Sequence, residues 1–386
     1  MAHHYLPVRL IRLIKTVALF GPLLVSLTVF ILVIDTIVYQ TRLENTRQAT
    51  VKLHDFLERT SFCEGLSVAM AAANGTTTLN TTVLDFCHQW ELDQKSYFRR
   101  RKLKVNAFNH TIVRSAAEAC NKDTYMIVLV HSLHSYRDRR DAIRSTWGGA
   151  AQNGTWPLYG SFVGPINVRV VFILGKHKDA LLEASLEQES RTIGDIVQGD
   201  FIESYTNMTL KSLLGLKWVL EFCPSVRYLF KCDDDMFVNV AAILNLLRTS
   251  PMTWSIMGPL NRGSRVYRRG KWGLSKKQYP FYYYPQYESG SGYAISADLI
   301  RPLLETSDYV PWIFIDDVYI TGILGKILGV GHVTQSGFAY WTSKSPSACD
   351  IANSTVLTGT KVSPKLQLEI WKDLVAGVPC LKNSTV

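Results

Sequence analysis

Several features are scarce in this chain of 386 residues, and each scarcity excludes something. No C-x-x-C pair occurs among its seven cysteines, so a zinc site of that spacing is absent. The glycine pair Gly290/Gly292 lacks the lysine and the spacing of a Walker phosphate loop. Past residue 235 the only histidine is His332, which argues against a metallohydrolase built on clustered histidines. No internal repeat is visible, and no acid precedes Asp35. Residues 262–277 also lack acids while carrying Arg262, Arg265, Arg268, Arg269, Lys271, Lys276 and Lys277.

The one long apolar run sits at the start. Residues 16–34 hold 19 positions without a charge, about the thickness of a bilayer core. Arg9, Arg12 and Lys15 precede them and Asp35 follows, which predicts a cytoplasmic tail (1–15), a membrane anchor (16–34) and a lumenal remainder. A cleaved signal peptide is the alternative. Seven N-x-S/T sequons, at Asn74, Asn80, Asn109, Asn153, Asn207, Asn353 and Asn383, and all seven cysteines lie after the anchor, as a lumenal body requires. The odd cysteine count leaves at least one thiol free or paired between chains, and Cys232, in an apolar run, is the candidate for a free, buried one. Of the net charge of +10, three positives belong to the tail, and most of the rest is clustered. Charge clustered in this way, on a lumenal body, does not mark a nucleic-acid partner.

Residues 35–122 have the texture of a stem, small and polar around 71–82, with a basic run at Arg99–Lys102 that suits either a solvated segment or a processing site. From residue 123 strand and helix patterns alternate. Residues 125–130 (YMIVLV), 168–174 (VRVVFIL) and 227–232 predict strands covered on both faces. Residues 138–147, closed by Gly148 and Gly149, then 178–191 and 209–222 predict helices. Strands spaced by helices imply an α/β fold with a mainly parallel sheet flanked by helices, and ligands in such sheets bind beyond the carboxyl ends of the strands.

Asp233-Asp234-Asp235 falls at one of those ends, between two apolar runs. Three repelling acids suit a divalent cation, which takes carboxylate oxygens and shares its shell with phosphates; a solvated acidic turn would also accommodate them. A second pair, Asp316-Asp317, follows the apolar run 310–315. One of its acids could serve as a general base raised in pKa by apolar surroundings, or Asp316 could cap a helix over 318–328 with Asp317 in its first turn. Between the two stations lie the basic run and a set of aromatics including Trp272, Tyr287 and Tyr293, which suit sugar rings or simply a core.

Six segments in order resemble the β-1,3-glycosyltransferases of glycosyltransferase family 31. They are Arg140 to Gly148 (RDAIRSTWG), Val171 to Gly175 (VFILG), Gly199-Asp200-Phe201 with Tyr205 to Lys211, Lys231 to Asn239 (KCDDDMFVN), Tyr284 to Tyr293 (YPQYESGSGY), and Asp316-Asp317-Val318-Tyr319 with Gly322. Together they span about residues 125–338, and the tail, anchor, stem and lumenal domain match the family's layout. The resemblance implies a Rossmann-like GT-A domain over 123–386, a type II Golgi membrane glycoprotein, Mn²⁺ or Mg²⁺, and a UDP-sugar donor. It puts the metal on Asp233 and Asp235, and the base on Asp317 with Asp316 beside it. Donor contacts would come from Arg140, Arg144, Lys211, Asp234, Ser289, Gly290 and Gly292, although Arg140 and Arg144 equally suit ion pairs. Trp272, Tyr287 and Tyr293 would face the acceptor.

The implied reaction is inverting transfer of galactose from UDP-galactose, in β-1,3 linkage, to a glycan of a glycoprotein or glycolipid. UDP-N-acetylglucosamine is the alternative donor, and a non-catalytic sugar-binding or chaperone-like lumenal protein is the rival from another class. Three departures stand out. Asp316 replaces a common glutamate, and Gln286 and Glu288 replace a common proline and cysteine. Thr360 stands where many relatives have a histidine, so that either His332 substitutes as a metal ligand, water completes the shell, or metal binding is weakened; a lone histidine equally suits a surface or core role.

Overall fold

The computed structural model describes residues 81–157, 160–161, 167–338, 345–377 and 380. The expected anchor, most of the expected stem, and Asn74, Asn80 and Asn383 lie outside these. Among the described residues no helix is long and apolar enough to cross a membrane. The chain divides into two compact units, one ending at Tyr97 and one starting at Phe98. In the first, helix α1 spans Thr81–Tyr97.

The second unit is built on an eight-stranded sheet. In chain order its strands are β1 (Ile112–Arg114), β2 (Thr124–His131), β3 (Asn167–Lys176), β4 (Ile196–Ile202), β5 (Tyr228–Asp233), β6 (Ser255–Gly258), β7 (Tyr293–Ser296) and β8 (Gly331–Thr334). Across the sheet they run β1-β4-β3-β2-β5-β7-β6-β8. Strands β4, β3, β2, β5, β6 and β8 point one way, while β1 and β7 oppose them. The sheet is therefore mixed and mostly parallel. Strands β6, β7 and β8 carry no long apolar run, and for that reason their sequence does not announce them.

The central strand shows why the apolar runs become strands. Met126, Val128 and Val130 join one core with Ile143, Trp147, Phe172 and Phe230. Ile127 and Leu129 are equally buried, and Leu129 lies against Gly215 on the opposite face. A strand sandwiched in this way has no solvent face on which polar residues could alternate.

Helices α2 (Arg137–Ser145), α3 (Trp147–Asn153), α4 (Ala180–Ile193), α5 (Met208–Phe222) and α6 (Val240–Thr249) cover the sheet. The Asp179 side chain caps α4 by accepting from the amides of Leu181 and Leu182, and Gly194, with φ 80°, ends it. Gly148 and Gly149 do not terminate a helix as expected. The break comes at Thr146, and both glycines lie inside α3. A Cβ at Gly148 would meet the Ile143 carbonyl oxygen at 2.8 Å, and one at Gly149 would collide with that of Arg144. The glycines let α3 fold back against the last turn of α2, a tertiary need that a local signal mimics.

Residues 98–122 belong to this same unit. Strand β1 pairs with β4, and the amide of Arg101 donates to the carbonyl of Tyr309. Disulfides join Cys120 to Cys223 and Cys349 to Cys380, and Cys232 is free and buried, with burial pushing its thiol pKa well up. Of the described sequons, Asn109, Asn153 and Asn353 are exposed. Asn207 is half-buried, its side-chain amide donating to the Ile202 carbonyl.

Candidate active site

Parallel pairing of β2 with β5 sets His131 opposite Asp233, so both strands end at one level. The residues that follow meet there. Ser132 Oγ and Arg139 Nη1 each donate to an Asp234 carboxylate oxygen at 2.8 Å. Burial pushes the Asp234 pKa up to about 6, against the lowering effect of those two donors and of the Arg139 charge. The middle acid is thus a tie between strand ends. Its neighbours behave differently: the Asp233 and Asp235 side chains keep 43% and 41% exposure. Both border a cleft of about 460 Å³, which His131, Ser132, His134, Arg139, Glu203, Tyr205, Lys211 and Lys271 also line. Burial and the charge of Asp233 raise the Asp235 pKa.

The second acidic pair is held just as closely. Asp316 accepts from Ser212 Oγ at 2.7 Å. Asp317 takes the capping position of a helix that winds as a π-helix over Val318–Leu324 and continues as α over Gly325–Leu328. Its two carboxylate oxygens accept from the backbone amides of Val318 and Gly290, each at 2.8 Å. The cap therefore falls on Asp317 rather than on Asp316. Burial, then the charge of Asp316, push the Asp317 pKa up to about 6, although Lys231 and both amides pull the other way.

Lys231 joins the two stations. Its Nζ donates to Asp233 Oδ1 at 3.0 Å and to the Gly290 carbonyl at 3.4 Å, and lies 3.5 Å from Asp316 Oδ2. Burial alone would lower the ammonium's pKa, but Asp233 and Asp316 overcome that and hold it well above the usual lysine range. His131 Nδ1 lies 3.9 Å from the same Asp316 oxygen. Its burial, with the Lys231 and Lys211 charges, keeps the imidazole pKa well below normal, hence neutral.

The remaining candidates fall into two groups. Lys211 lines the cleft, its Nζ donating to the Ser132 carbonyl at 2.9 Å and pairing with Glu203 at 2.7 Å. Gly290 joins Lys231 to Asp317 through its carbonyl and amide, and Ser289 is pinned to the Pro259 carbonyl. Gly292, at φ 129°, holds a conformation that side chains disfavour and sits against Phe230. Trp272 is 44% exposed, and Tyr287 is half-buried against Tyr284.

Other expected residues are turned away. Arg140 is buried and forks onto Glu189 at 2.8 and 2.6 Å, with Nη1 on Ser132 Oγ and the Leu133 carbonyl. Arg144 spans Asp195, Glu189 and Asp141. Both arginines support the site through ion pairs, and the guanidinium that borders the cleft is that of Arg139. Tyr293 is 1% exposed within β7, opposite Lys231, so it offers no ring face to a sugar. His332 lies on β8, three strands from β5, with Nδ1 held by Glu288 at 2.9 and 3.1 Å. Among the described residues no group of three or more His, Cys, Asp and Glu is poised around a metal.

Sequence reasoning passed over Lys231, Arg139, Ser132 and Ser212. Lys231 had a usable signal, a lysine inside an apolar strand immediately before acids. Arg139 had none, since three arginines at 137, 139 and 140 share one short helix and only packing sorts them.

The family model for galactosyltransferases matches residues 138–336. The chain is 34% identical over 281 residues to the beta-1,3-galactosyltransferase 1 of Homo sapiens and to that of Mus musculus. Each alignment covers 72% of this chain and 81% of the relative. It is also 35% identical over 199 residues to beta-1,3-galactosyltransferase 5 of Gorilla gorilla gorilla, covering 51% of this chain and 63% of that protein.

Proposed function

Because this chain belongs to the galactosyltransferase family, and so is a glycosyltransferase, we propose that it moves galactose from UDP-galactose, with inversion and in β-1,3 linkage, onto a glycan hydroxyl. The observation that carries this is the Lys231 bridge, which gathers the partly exposed Asp233, the buried Asp316 and the half-buried Asp317 into one charge cluster. The names of the similar proteins supply the sugar and the linkage. The mostly parallel sheet with its acids at the strand ends fits a GT-A domain.

Asp317 acts as the base. Its oxygens are oriented by two amides and its proton affinity is raised toward neutrality, which suits accepting the proton of the attacking hydroxyl. The freed oxygen attacks the anomeric carbon opposite the leaving UDP, so the α-linked donor yields a β-linked product. Lys231 pairs with Asp316 and Asp233 beside it, and Ser212 fixes Asp316. Arg139, Lys211 and Lys271 line the cleft where the diphosphate must sit. Asp233 and Asp235, whose partly exposed carboxylates line the cleft, fit a hard divalent cation that shares its shell with phosphates. Bound there, Mn²⁺ or Mg²⁺ would neutralise charge on the departing diphosphate.

The same proposal includes a type II Golgi enzyme with a lumenal catalytic domain, whose expected start at residue 123 moves back to Phe98 because residues 98–122 belong to the same compact unit. Two disulfides, the exposed sequons and the charge asymmetry about residues 16–34 support it. The test is UDP release by the full-length protein in detergent, given UDP-galactose, Mn²⁺ and a glycan acceptor. Asp233→Ala should abolish release and Asp317→Asn should cut it by about 10²–10⁴-fold, and full activity in both variants would refute the assignment.

A further inference from the structure

From Arg262 to Tyr287 the chain contains no Asp or Glu. Arg262, Arg269, Lys271, Lys276 and Lys277 are all exposed along it. Protein surfaces ordinarily intersperse the two signs, so a concentration of one sign in a single loop produces a directed field.

The loop is a defined structure. The Arg268 guanidinium donates to the carbonyls of Leu274 at 3.1 Å, Tyr279 at 2.7 Å and Phe281 at 2.5 Å, drawing its two arms together. Backbone bonds from Val266 to Tyr282 and from Tyr284 to Ser264 close its base, and Val266 and Leu274 are buried inside. One loop cation reaches the active site: Lys271 lines the cleft shared with Asp233, Asp234 and Asp235, its Nζ 4.4 Å from the centre of the Tyr205 ring. Beside it, Trp272 and Tyr267 are 44% and 61% exposed, with ring centroids 6.1 Å apart. Open aromatic faces thus flank the one loop cation that lines the cleft, and the other exposed cations lie on the same loop.

We infer that the acceptor is an acidic glycan, bearing a carboxylate or sulfate close to the hydroxyl that receives galactose. This rests on the transferase function proposed above. A sugar ring packs on Trp272 or Tyr267, and the anionic substituent sits among the loop cations. The donor diphosphate alone does not account for the loop. Arg139, Lys211 and Lys271 already face it in the cleft, whereas Arg262, Arg269, Lys276 and Lys277 are not among the cleft-lining residues. A lipid surface fits less well, because the loop's aliphatic side chains, Val266 and Leu274, are turned inward.

The test compares paired acceptors, one neutral oligosaccharide and the same oligosaccharide carrying a uronate, a sialate or a sulfate, with the full-length protein in detergent and UDP-galactose. Each protein serves as its own reference through the acidic-to-neutral ratio of kcat/KM, which is independent of the folded fraction. The native ratio should be about tenfold or more, the worth of one charge-assisted hydrogen bond, and should shrink as salt is added. The triple substitution Arg262→Gln, Arg269→Gln, Lys277→Gln should bring the ratio toward equality, and the conservative set Arg262→Lys, Arg269→Lys should keep it. Equal use of both acceptors by the native protein overturns the inference while leaving galactose transfer intact. So does a ratio unmoved by the triple substitution, or one unmoved while binding to phosphatidylserine vesicles is lost. Absence of both transfer and UDP-galactose hydrolysis overturns the inference together with the function on which it rests.

Discussion

The ammonium of Lys231 lies 3.5 Å from the carboxylate of Asp316, and both are buried. The same ammonium holds Asp233 at 3.0 Å, so one cation is shared by acids from two distant parts of the chain. Without it, the buried Asp316 and the half-buried Asp317 would be adjacent acids with no cation between them, an arrangement in which one tends to stay protonated. The arrangement divides the work: Asp316 stays paired with Lys231, and Asp317 is left with the raised proton affinity that a base needs.

Replacing Lys231 with Met should therefore damage both stability and rate. Removing one partner of a buried ion pair costs about 3–5 kcal/mol, and the lower end applies because Asp233 is partly exposed. Urea denaturation should show the midpoint shift. An unchanged midpoint with full activity would mean that the bridge is idle.

Asp317→Asn should reduce kcat by about 10²–10⁴-fold, the usual worth of general base catalysis. The near-ultraviolet circular dichroism of the variant should match the native protein. A loss smaller than tenfold would assign the base elsewhere.

The pH profile should carry the signature of the same group. Asp317 must be unprotonated to accept a proton, and its pKa lies at about 6. Below that value the protonated fraction grows and kcat should fall roughly tenfold per pH unit; above it this group imposes no further change. A profile flat well below that value contradicts the role.

Arg139→Ala should weaken donor binding. It removes a cleft-lining cation and one of the two donors holding Asp234. Hydrogen bonds to charged groups are worth about 1.5–3 kcal/mol, so the KM for UDP-galactose should rise about tenfold or more. The Arg140→Met variant is the contrast: Arg140 is buried on Glu189, and its loss should show mainly as lowered thermal stability.

Chelation should silence the enzyme. Asp233 and Asp235 supply only two ligand side chains, so the cation they would hold is readily exchanged with solvent. Activity should disappear in EDTA and return with Mn²⁺ or Mg²⁺. Full turnover in metal-free buffer would remove the metal from the proposal.

Much of the fold and of the candidate site could be seen in the linear chain. The runs YMIVLV and VRVVFIL became β2 and β3 because an all-apolar segment of that length has to be covered on both faces. Asp233-Asp234-Asp235 and Asp316-Asp317 stood out because clustered acids beside apolar runs are costly unless something compensates them. Strands β6, β7 and β8 were not legible, being four residues each and held by pairing partners. Gly148 and Gly149 gave a false stop, since close packing of α3 on α2 calls for the same residue as a helix end.

Residue type and order alone settled the parallel α/β pattern, the two acidic stations and the family, because these depend on local runs of apolar and charged side chains. Which arginine faces the cleft, which aspartate caps the helix and which carries the raised pKa were decided only in three dimensions. Those outcomes depend on distances between groups far apart in the chain: Lys231 to Asp316, Gly290 to Asp317, Arg139 to Asp234. Electrostatic energy depends on separation and burial, and neither is written in a sequence until the chain has folded.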